Sequence, residues 1–284
     1  MSQEFSIDAL MPQEMAEKAE AIGVRKAELA FWPLFALAML AGAFIALGAM
    51  FSTTTAAGSA VLPYGVARLL IGLTFCVGLI LVVVAGAELF TGNNLIVMAW
   101  ASRKVSTLAL LRNWVIVYIG NFVGSLGTAV LVFLSKQYTF GSGGVGEYAL
   151  KVAASKLHYG FIQAVALGIL CNALVCLAVW LTFSARSTAG KILAILFPIT
   201  AFVACSFEHS VANMYFVPYA LFIKAFDPAF ITGLADKAPD LSTLTWGNFL
   251  LKNLLPVTIG NIIGGAGLVA LMYWFVYLRG RKNQ

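Results

Sequence analysis

Charged side chains are scarce in this chain: Asp, Glu, Lys and Arg supply only 11% of its 284 residues. A water-facing globular surface needs about a quarter. The shortage excludes an ordinary soluble domain and leaves lipid as the surroundings for a chain that is 61% hydrophobic. The four cysteines, Cys76, Cys171, Cys176 and Cys205, sit inside apolar segments with no disulfide or metal-ligand spacing, so they read as small packing hydrophobes. There are only two histidines and no His-Glu-x-x-His. With no nucleophile–base pair either, the chain is not expected to be an enzyme or to hold a metal or cofactor. The net charge of +6 is scattered between apolar runs rather than clustered, which excludes nucleic acid as a partner. The first 28 residues lack the basic-then-apolar order of a signal peptide and carry Glu4, Asp8, Glu14, Glu17, Glu20 and Glu28 instead. With Pro12 near its start, this stretch places Met11, Met15, Ala19 and Ile22 on one helical face. It is expected to be an amphipathic helix, residues 1–28, lying on the protein or the bilayer surface.

Six long apolar segments follow, in a transmembrane domain over 29–284. A spanning helix needs about 20 apolar residues, because ~30 Å of hydrocarbon is crossed at ~1.5 Å per residue. Leu29–Phe51, Asn113–Ser135, Leu157–Ala185 and Asn253–Leu278 fit that length. Leu69–Ser102 and Ile192–Ile223 are too long for one span and too short for two. The first carries Glu88 in its middle among Gly86, Thr91, Gly92, Asn93 and Asn94; the second carries Glu208 and His209 among Ser206, Ser210 and Asn213. A helix broken at membrane depth explains length and polarity together, and such unwound backbone is tolerated only inside protein or against a cavity. With both termini in the cytoplasm, eleven of the 18 basic residues fall inside and seven outside, which favours that orientation.

The chain also repeats itself. Leu110-Leu111-Arg112-Asn113 matches Leu250-Leu251-Lys252-Asn253, and Val117, Ile119, Gly120, Asn121, Gly124 and Gly127 recur as Val257, Ile259, Gly260, Asn261, Gly264 and Gly267. Glu88 and Asn93 match Glu208 and Asn213, while Phe35, Ala38 and Gly42 are paired more weakly with Phe161, Ala164 and Gly168. Residues 29–135 therefore repeat as 157–278. Three spans per copy is odd, so the second copy enters from the opposite side and the two breaks meet near the midplane. The fold expected is an all-α membrane protein, six segments in an inverted 3+3 repeat, with segments two and five broken. The repeated glycines are expected at close helix contacts.

The run Ala85-Gly86-Ala87-Glu88-Leu89-Phe90-Thr91-Gly92 resembles the first signature of the formate/nitrite transporter family, and residues Gly168 to Cys176 resemble the second. Phe207 to Met214 resemble the family's histidine loop, and the start, Phe5 to Pro12, resembles that of the formate channels in particular. The resemblance spans essentially the whole chain. It implies an aquaporin-like protomer with its own pore, assembled as a homopentamer in a bacterial inner membrane. Water conduction is not implied, because no Asn-Pro-Ala occurs at either break. By the same resemblance Leu79, Phe90 and Val175 line a cytoplasmic-side constriction and Phe75 and Phe202 a periplasmic-side one. Thr91, Lys156, Asn172 and His209 are implied to meet the anion.

His209 is the foremost candidate, since an ionisable group at membrane depth is costly and usually functional, and imidazole titrates near ~6.5. Glu88, Asn93, Glu208 and Asn213 are expected to hold the loops, because an anion path gains nothing from exposed carboxylates. Lys156 is expected to attract anions from the segment edge; His158 has no comparable support. The function expected is passive or pH-dependent passage of formate and similar small anions, with protons involved and lipid around it. The proposed sequence of events is capture by Lys156, binding by Asn172 and His209, and a proton from His209 that lets neutral acid cross. Nitrite or hydrosulfide as the main substrate, and obligatory proton–anion symport, are the rival expectations.

Overall fold

The computed structural model describes residues 9–280. Glu4, Asp8, the remainder of the stretch before residue 9, and Arg281 and Lys282 lie outside the described residues. Every regular element among the described residues is helical. In chain order they are α1 (Pro12–Glu28), α2 (Phe31–Ala56), α3 (Tyr64–Gly86), α4 (Val97–Ala101), α5 (Thr107–Leu134), α6 (Gly144–Lys156), α7 (Phe161–Ser184), α8 (Thr188–Ala204), α9 (Ser210–Phe226), α10 (Pro228–Gly233) and α11 (Trp246–Tyr277). Five of them, α2, α3, α5, α7 and α11, are long and apolar enough to cross a membrane. Their outward faces are oily: Leu108, Leu111, Val115 and Ile119 form one exposed apolar stripe on α5. The chain is a membrane protein.

The long segment around Glu88 is helical to Gly86, non-helical over 87–91, and helical again from Gly92. The one around Glu208 consists of two 17-residue helices, α8 and α9, separated by 205–209. Gly86 (φ 84°) and Ser206 (φ 58°), 120 positions apart, both turn the chain through left-handed backbone just before the glutamate. Several helices begin earlier than hydropathy indicates. α5 starts at Thr107 and α11 at Trp246, ahead of Arg112-Asn113 and Lys252-Asn253, because those polar residues lie inside the helices. Arg112 donates to Leu29 O (3.0 Å), and both asparagines are fully buried.

α1 lies against the protein on a face that overlaps the expected one at Met15 and Ala19 but is centred on smaller residues. Met15, Ala16, Ala19, Gly23 and Ala27 are buried, whereas Met11 is 66% exposed. Small residues decide the docking, since at Gly23 the helix comes so near α4 that an added Cβ would sit 3.1 Å from Ala99 Cβ. Gln13 to Tyr277 O (2.9 Å) and Lys18 to Phe183 O (2.8 Å) tie it to the ends of α11 and α7. Among the cysteines, Cys205 proves exposed, because it lies at the end of α8 rather than within a helix interface. Past α9, Asp227 caps α10 and accepts the Tyr138 hydroxyl (2.7 Å); these bonds, Tyr138 first, hold its carboxyl below its ordinary range.

α2 packs on α5 and α3, and α7 packs on α11 and α8, with α3 against α8 joining the two sets. Glycine makes the tightest crossings. A Cβ at Gly124 would stand 1.9 Å from Met39 O, and one at Gly264 2.2 Å from Ile169 O. Gly127 and Gly267, expected at the same contacts, face open space instead, although they share the helix face of the contacting glycines. Gly124→Ala is therefore expected to lower the melting temperature in detergent, by the equivalent of about 1–3 kcal/mol or more, since the atom it meets is backbone. Gly127→Ala should melt like the parent protein.

Candidate functional site

Each non-helical stretch is held by the same set of side chains. Glu88 accepts Lys26 Nζ (2.7 Å) and Asn93 Nδ2 (2.7 Å). Asn93 Nδ2 also donates to Asn113 Oδ1 (2.9 Å), and Asn113 Nδ2 donates to Lys26 O (2.9 Å). In the second half Glu208 accepts Lys156 Nζ (2.7 Å), Asn213 Nδ2 (2.7 Å) and Asn253 Nδ2 (3.2 Å). Asn213 Nδ2 donates to Asn253 Oδ1 (2.7 Å), and Asn253 Nδ2 to Lys156 O (3.0 Å). The backbone is clamped in parallel. Asn121 takes Phe90 N–H (2.9 Å) and donates to Ala38 O (2.8 Å) and Glu88 O (2.9 Å). Asn261 takes Ser210 N–H and donates to Gly168 O and Glu208 O, all at 2.9 Å.

These bonds fix the register of the duplication. Lys26 pairs with Lys156 and Ala38 with Gly168, each 130 positions on. The expected pairing of Phe35, Ala38 and Gly42 with Phe161, Ala164 and Gly168 is thus four residues out. Four residues is close to one helical turn, so the shifted pairing keeps the same face and looks alike in hydropathy.

Two cavities approach the centre from the two clusters. One, about 460 Å³, is lined by Ile22, Lys26, Leu79, Glu88 and Val83 among others. The other, about 120 Å³, is lined by Phe75, Phe202, Lys156, Glu208, His209 and Arg68 among others. Phe75 and Leu79 line different cavities and lie one turn, about 6 Å, apart on α3. Phe75 and Phe202 meet edge to face at 5.5 Å, and Phe202 stacks on His209 at 5.8 Å. Phe75, Leu79, Phe90, Val175 and Phe202 all belong to one buried apolar cluster. Phe90 and Val175, however, line neither cavity; the Phe90 ring rests on Tyr118 (4.9 Å) and Trp114 (6.1 Å).

His209 and Thr91 join the two stretches, with Thr91 Oγ1 3.1 Å from His209 Nε2. His209 Nδ1 accepts Ala212 N–H (3.1 Å), so the imidazole caps the first turn of α9. A ring nitrogen that accepts carries no proton, which leaves the neutral ring with its hydrogen on Nε2, pointing at Thr91. The threonine hydroxyl hydrogen then has no protein acceptor among the described residues.

Asn172, expected to meet the anion, is fully buried and lines neither cavity. Its Nδ2 faces the carbonyls of Asn261 (2.7 Å) and Thr91 (3.3 Å) and Asn94 Oδ1 (3.2 Å). Lys156 lines the smaller cavity as the partner of Glu208, with Phe216 beneath it at 5.4 Å. His158 is exposed and bonded to Ala154 O (2.7 Å). Sequence reasoning missed Lys26, Asn113, Asn121, Asn253 and Asn261 as parts of the site. The duplicated asparagines were visible; a polar residue repeated within an apolar helix is a signal in itself. Lys26 had no such mark outside the correct register.

A family model described as "Formate/nitrite transporter" matches residues 13–275. The chain is 45% identical over 280 residues to the formate channel FocA of Escherichia coli K12, covering 98% of each. It is 40% identical to FocA of Haemophilus influenzae, covering 93% of this chain and 94% of that one. Among solved structures it resembles a pentameric formate channel with formate bound, at TM-score 0.83 and 44% identity, over 88% of this chain and 98% of the other. An ion channel of the FNT family follows at TM-score 0.78 and 29% identity, over 93% and 98%.

The Glu208 side chain is 2% exposed, so removing its charge strands Lys156 and two amides. Glu208→Leu is expected to cost about 3–5 kcal/mol, read as a loss of thermal stability in detergent. Glu147→Gln, which breaks the more exposed Lys151 pair, should cost no more than about 1 kcal/mol.

Proposed function

The chain belongs to the formate/nitrite transporter family, and on that premise we propose that it conducts formate and similar small monovalent anions across the bacterial inner membrane. The observation that carries the reading is the end-to-end match to formate channels, 98% of both chains at 45% identity. In this reading each protomer has its own pore and the assembly is a homopentamer, supported by the likeness to a formate channel that is itself pentameric. Residues 29–135 and 157–278 are inverted copies, with both broken segments meeting midway and both termini in the cytoplasm. The matched Lys–Glu–Asn–Asn clusters support that arrangement. The helix within residues 1–28 then lines the cytoplasmic mouth, and the Lys156 cavity opens outside.

Energy decides the form in which formate crosses. A bare carboxylate entering the apolar barrier loses several kcal/mol even after relaxation. Protonating an acid of pKa ~4 at pH 7 costs about 4 kcal/mol. The neutral acid is therefore a competitive passenger through a barrier of Phe75, Leu79 and Phe202 that is roughly one helical turn thick.

His209 serves this passage as a hydrogen-bond donor rather than as the proton source. With Nδ1 occupied by Ala212 N–H, giving up the Nε2 hydrogen would leave an imidazolate, far too costly. The order is instead Ala212 N–H to Nδ1, Nε2–H to Thr91 Oγ1, and the Thr91 hydroxyl to a carboxylate oxygen. Such a chain is polarised along its length, which strengthens its last donor. The proton comes from the bulk solvent at the working pH, which is what the cost of about 4 kcal/mol counts. Glu88, Asn93, Glu208, Asn213 and Asn172 hold the loops that aim this donor.

Flux of formate, nitrite, hydrosulfide and a larger carboxylate into proteoliposomes across pH tests the proposal. At fixed total formate, the rate should rise up to about tenfold per pH unit as pH falls from about 8 to about 6, following the neutral acid. A rate independent of pH would mean that the bare anion crosses. Passage of the larger carboxylate as fast as formate would overturn the substrate assignment, and saturating flux with a fixed proton stoichiometry would mark a symporter.

A further inference from the structure

The two cavities are matched in their ion pairs but not in their net charge. The first contains Lys26 and Glu88, bonded at 2.7 Å, so its charges cancel. The second contains Lys156 and Glu208, also bonded at 2.7 Å, and in addition Arg68. His209 there is neutral by its hydrogen bonding. Among the described residues Arg68 pairs with no carboxylate; its partners are Ala204 O (3.0 Å), Ser206 Oγ (2.8 Å), Val203 O and the Tyr148 side chain. One uncompensated positive charge therefore faces this cavity and none faces the other. The position 120 residues on from Arg68, by the spacing that relates Glu88 to Glu208, is Thr188.

The partners of Arg68 sharpen the point. α8 ends at Ala204, and the free carbonyls of a helix end carry partial negative charge. Ala201 O takes Cys205 N–H (2.9 Å), Phe202 O takes Phe207 N–H (3.0 Å), and Val203 O takes Ser206 N–H (3.0 Å). The guanidinium supplies the donor for Ala204 O and a second for Val203 O. It also holds Ser206, whose left-handed backbone is unusual for a residue with a side chain. Without Arg68, an incoming anion would meet a helix's negative end and a neutral lysine–glutamate pair.

We propose that Arg68 is a specificity-determining residue, the net positive charge that draws anions into the Lys156-side cavity while neutralising the α8 terminus. Lys156, spent on Glu208, is the smaller contributor. The inference rests on the conduction reading above and deepens it.

Formate influx at low formate concentration is measured in proteoliposomes at ionic strengths from about 0.01 to about 1 M, set with a salt of large impermeant ions, for the parent protein, Arg68→Gln and Arg68→Lys, with melting temperatures in parallel. The Debye length falls over this range from about 30 Å to about 3 Å. The parent rate should fall as salt rises. Arg68→Gln should start roughly tenfold lower and converge on the parent at high salt. Arg68→Lys, which keeps the charge and loses the fork of donors, should recover most of the rate and all of the salt dependence, whatever its melting temperature. A parent rate indifferent to salt overturns the proposal even if Arg68→Gln fails to fold. So does an Arg68→Gln deficit that persists at the highest salt, or an Arg68→Gln protein indistinguishable from the parent at low salt. Absence of formate flux in the parent at every salt would instead defeat the conduction reading itself.

Discussion

Backbone that leaves a helix inside a membrane protein must find partners for its N–H and C=O groups, because no bulk water is there to supply them. The rest of this structure depends on how that demand is met twice. At each break one asparagine from a neighbouring long helix, Asn121 or Asn261, both accepts a backbone N–H and donates to two backbone carbonyls. A buried glutamate follows, neutralised by a lysine and bonded to asparagine amides. Neither carboxylate is left to repel an anion. Most strong polar groups in the two loops therefore have protein partners.

Beyond the shared framework, three departures from symmetry line the Lys156-side cavity. His209 stands where the first half has Leu89, Arg68 where the second half has Thr188, and Asn213 Oδ1 has no partner among the described residues where Asn93 Oδ1 accepts Lys26. A common scaffold with unshared chemistry is economical physically: the fold can be duplicated, while discrimination needs only a few groups of different character. The donor chain through His209 to Thr91 crosses from one half to the other. Its direction is set by a single backbone bond to Nδ1.

Much of this was legible beforehand. The 11% charge required a lipid setting, and Glu88, Glu208 and their asparagines were visible as polar residues at fixed spacing in apolar runs. Partners distant in sequence were not legible. Lys156 looks like a solitary edge lysine until Glu208 is found 2.7 Å away, and Arg68 is one basic residue among 18 until the end of α8 comes to meet it. Hydropathy placed the starts of α5 and α11 too late because it treats a buried asparagine as a boundary. It also left the α2–α7 register ambiguous by four residues, since one turn preserves the buried face. Asn172 shows the limit of resemblance: the motif located it, but only geometry reveals that its amide is already spent on protein oxygens.

In the proposed function the shared residues hold the breaks while the unshared histidine aims the donor at the anion, and His209→Asn separates the two roles. Asparagine is among the best helix caps, so it can keep the bond to Ala212 N–H that His209 Nδ1 now makes, yet it removes the Nε2–H directed at Thr91. Formate flux and melting temperature measured together on this variant should give an unchanged melting temperature and a lower formate rate, with the rate still rising as pH falls. An unchanged formate rate in a stably folded His209→Asn protein would contradict the account.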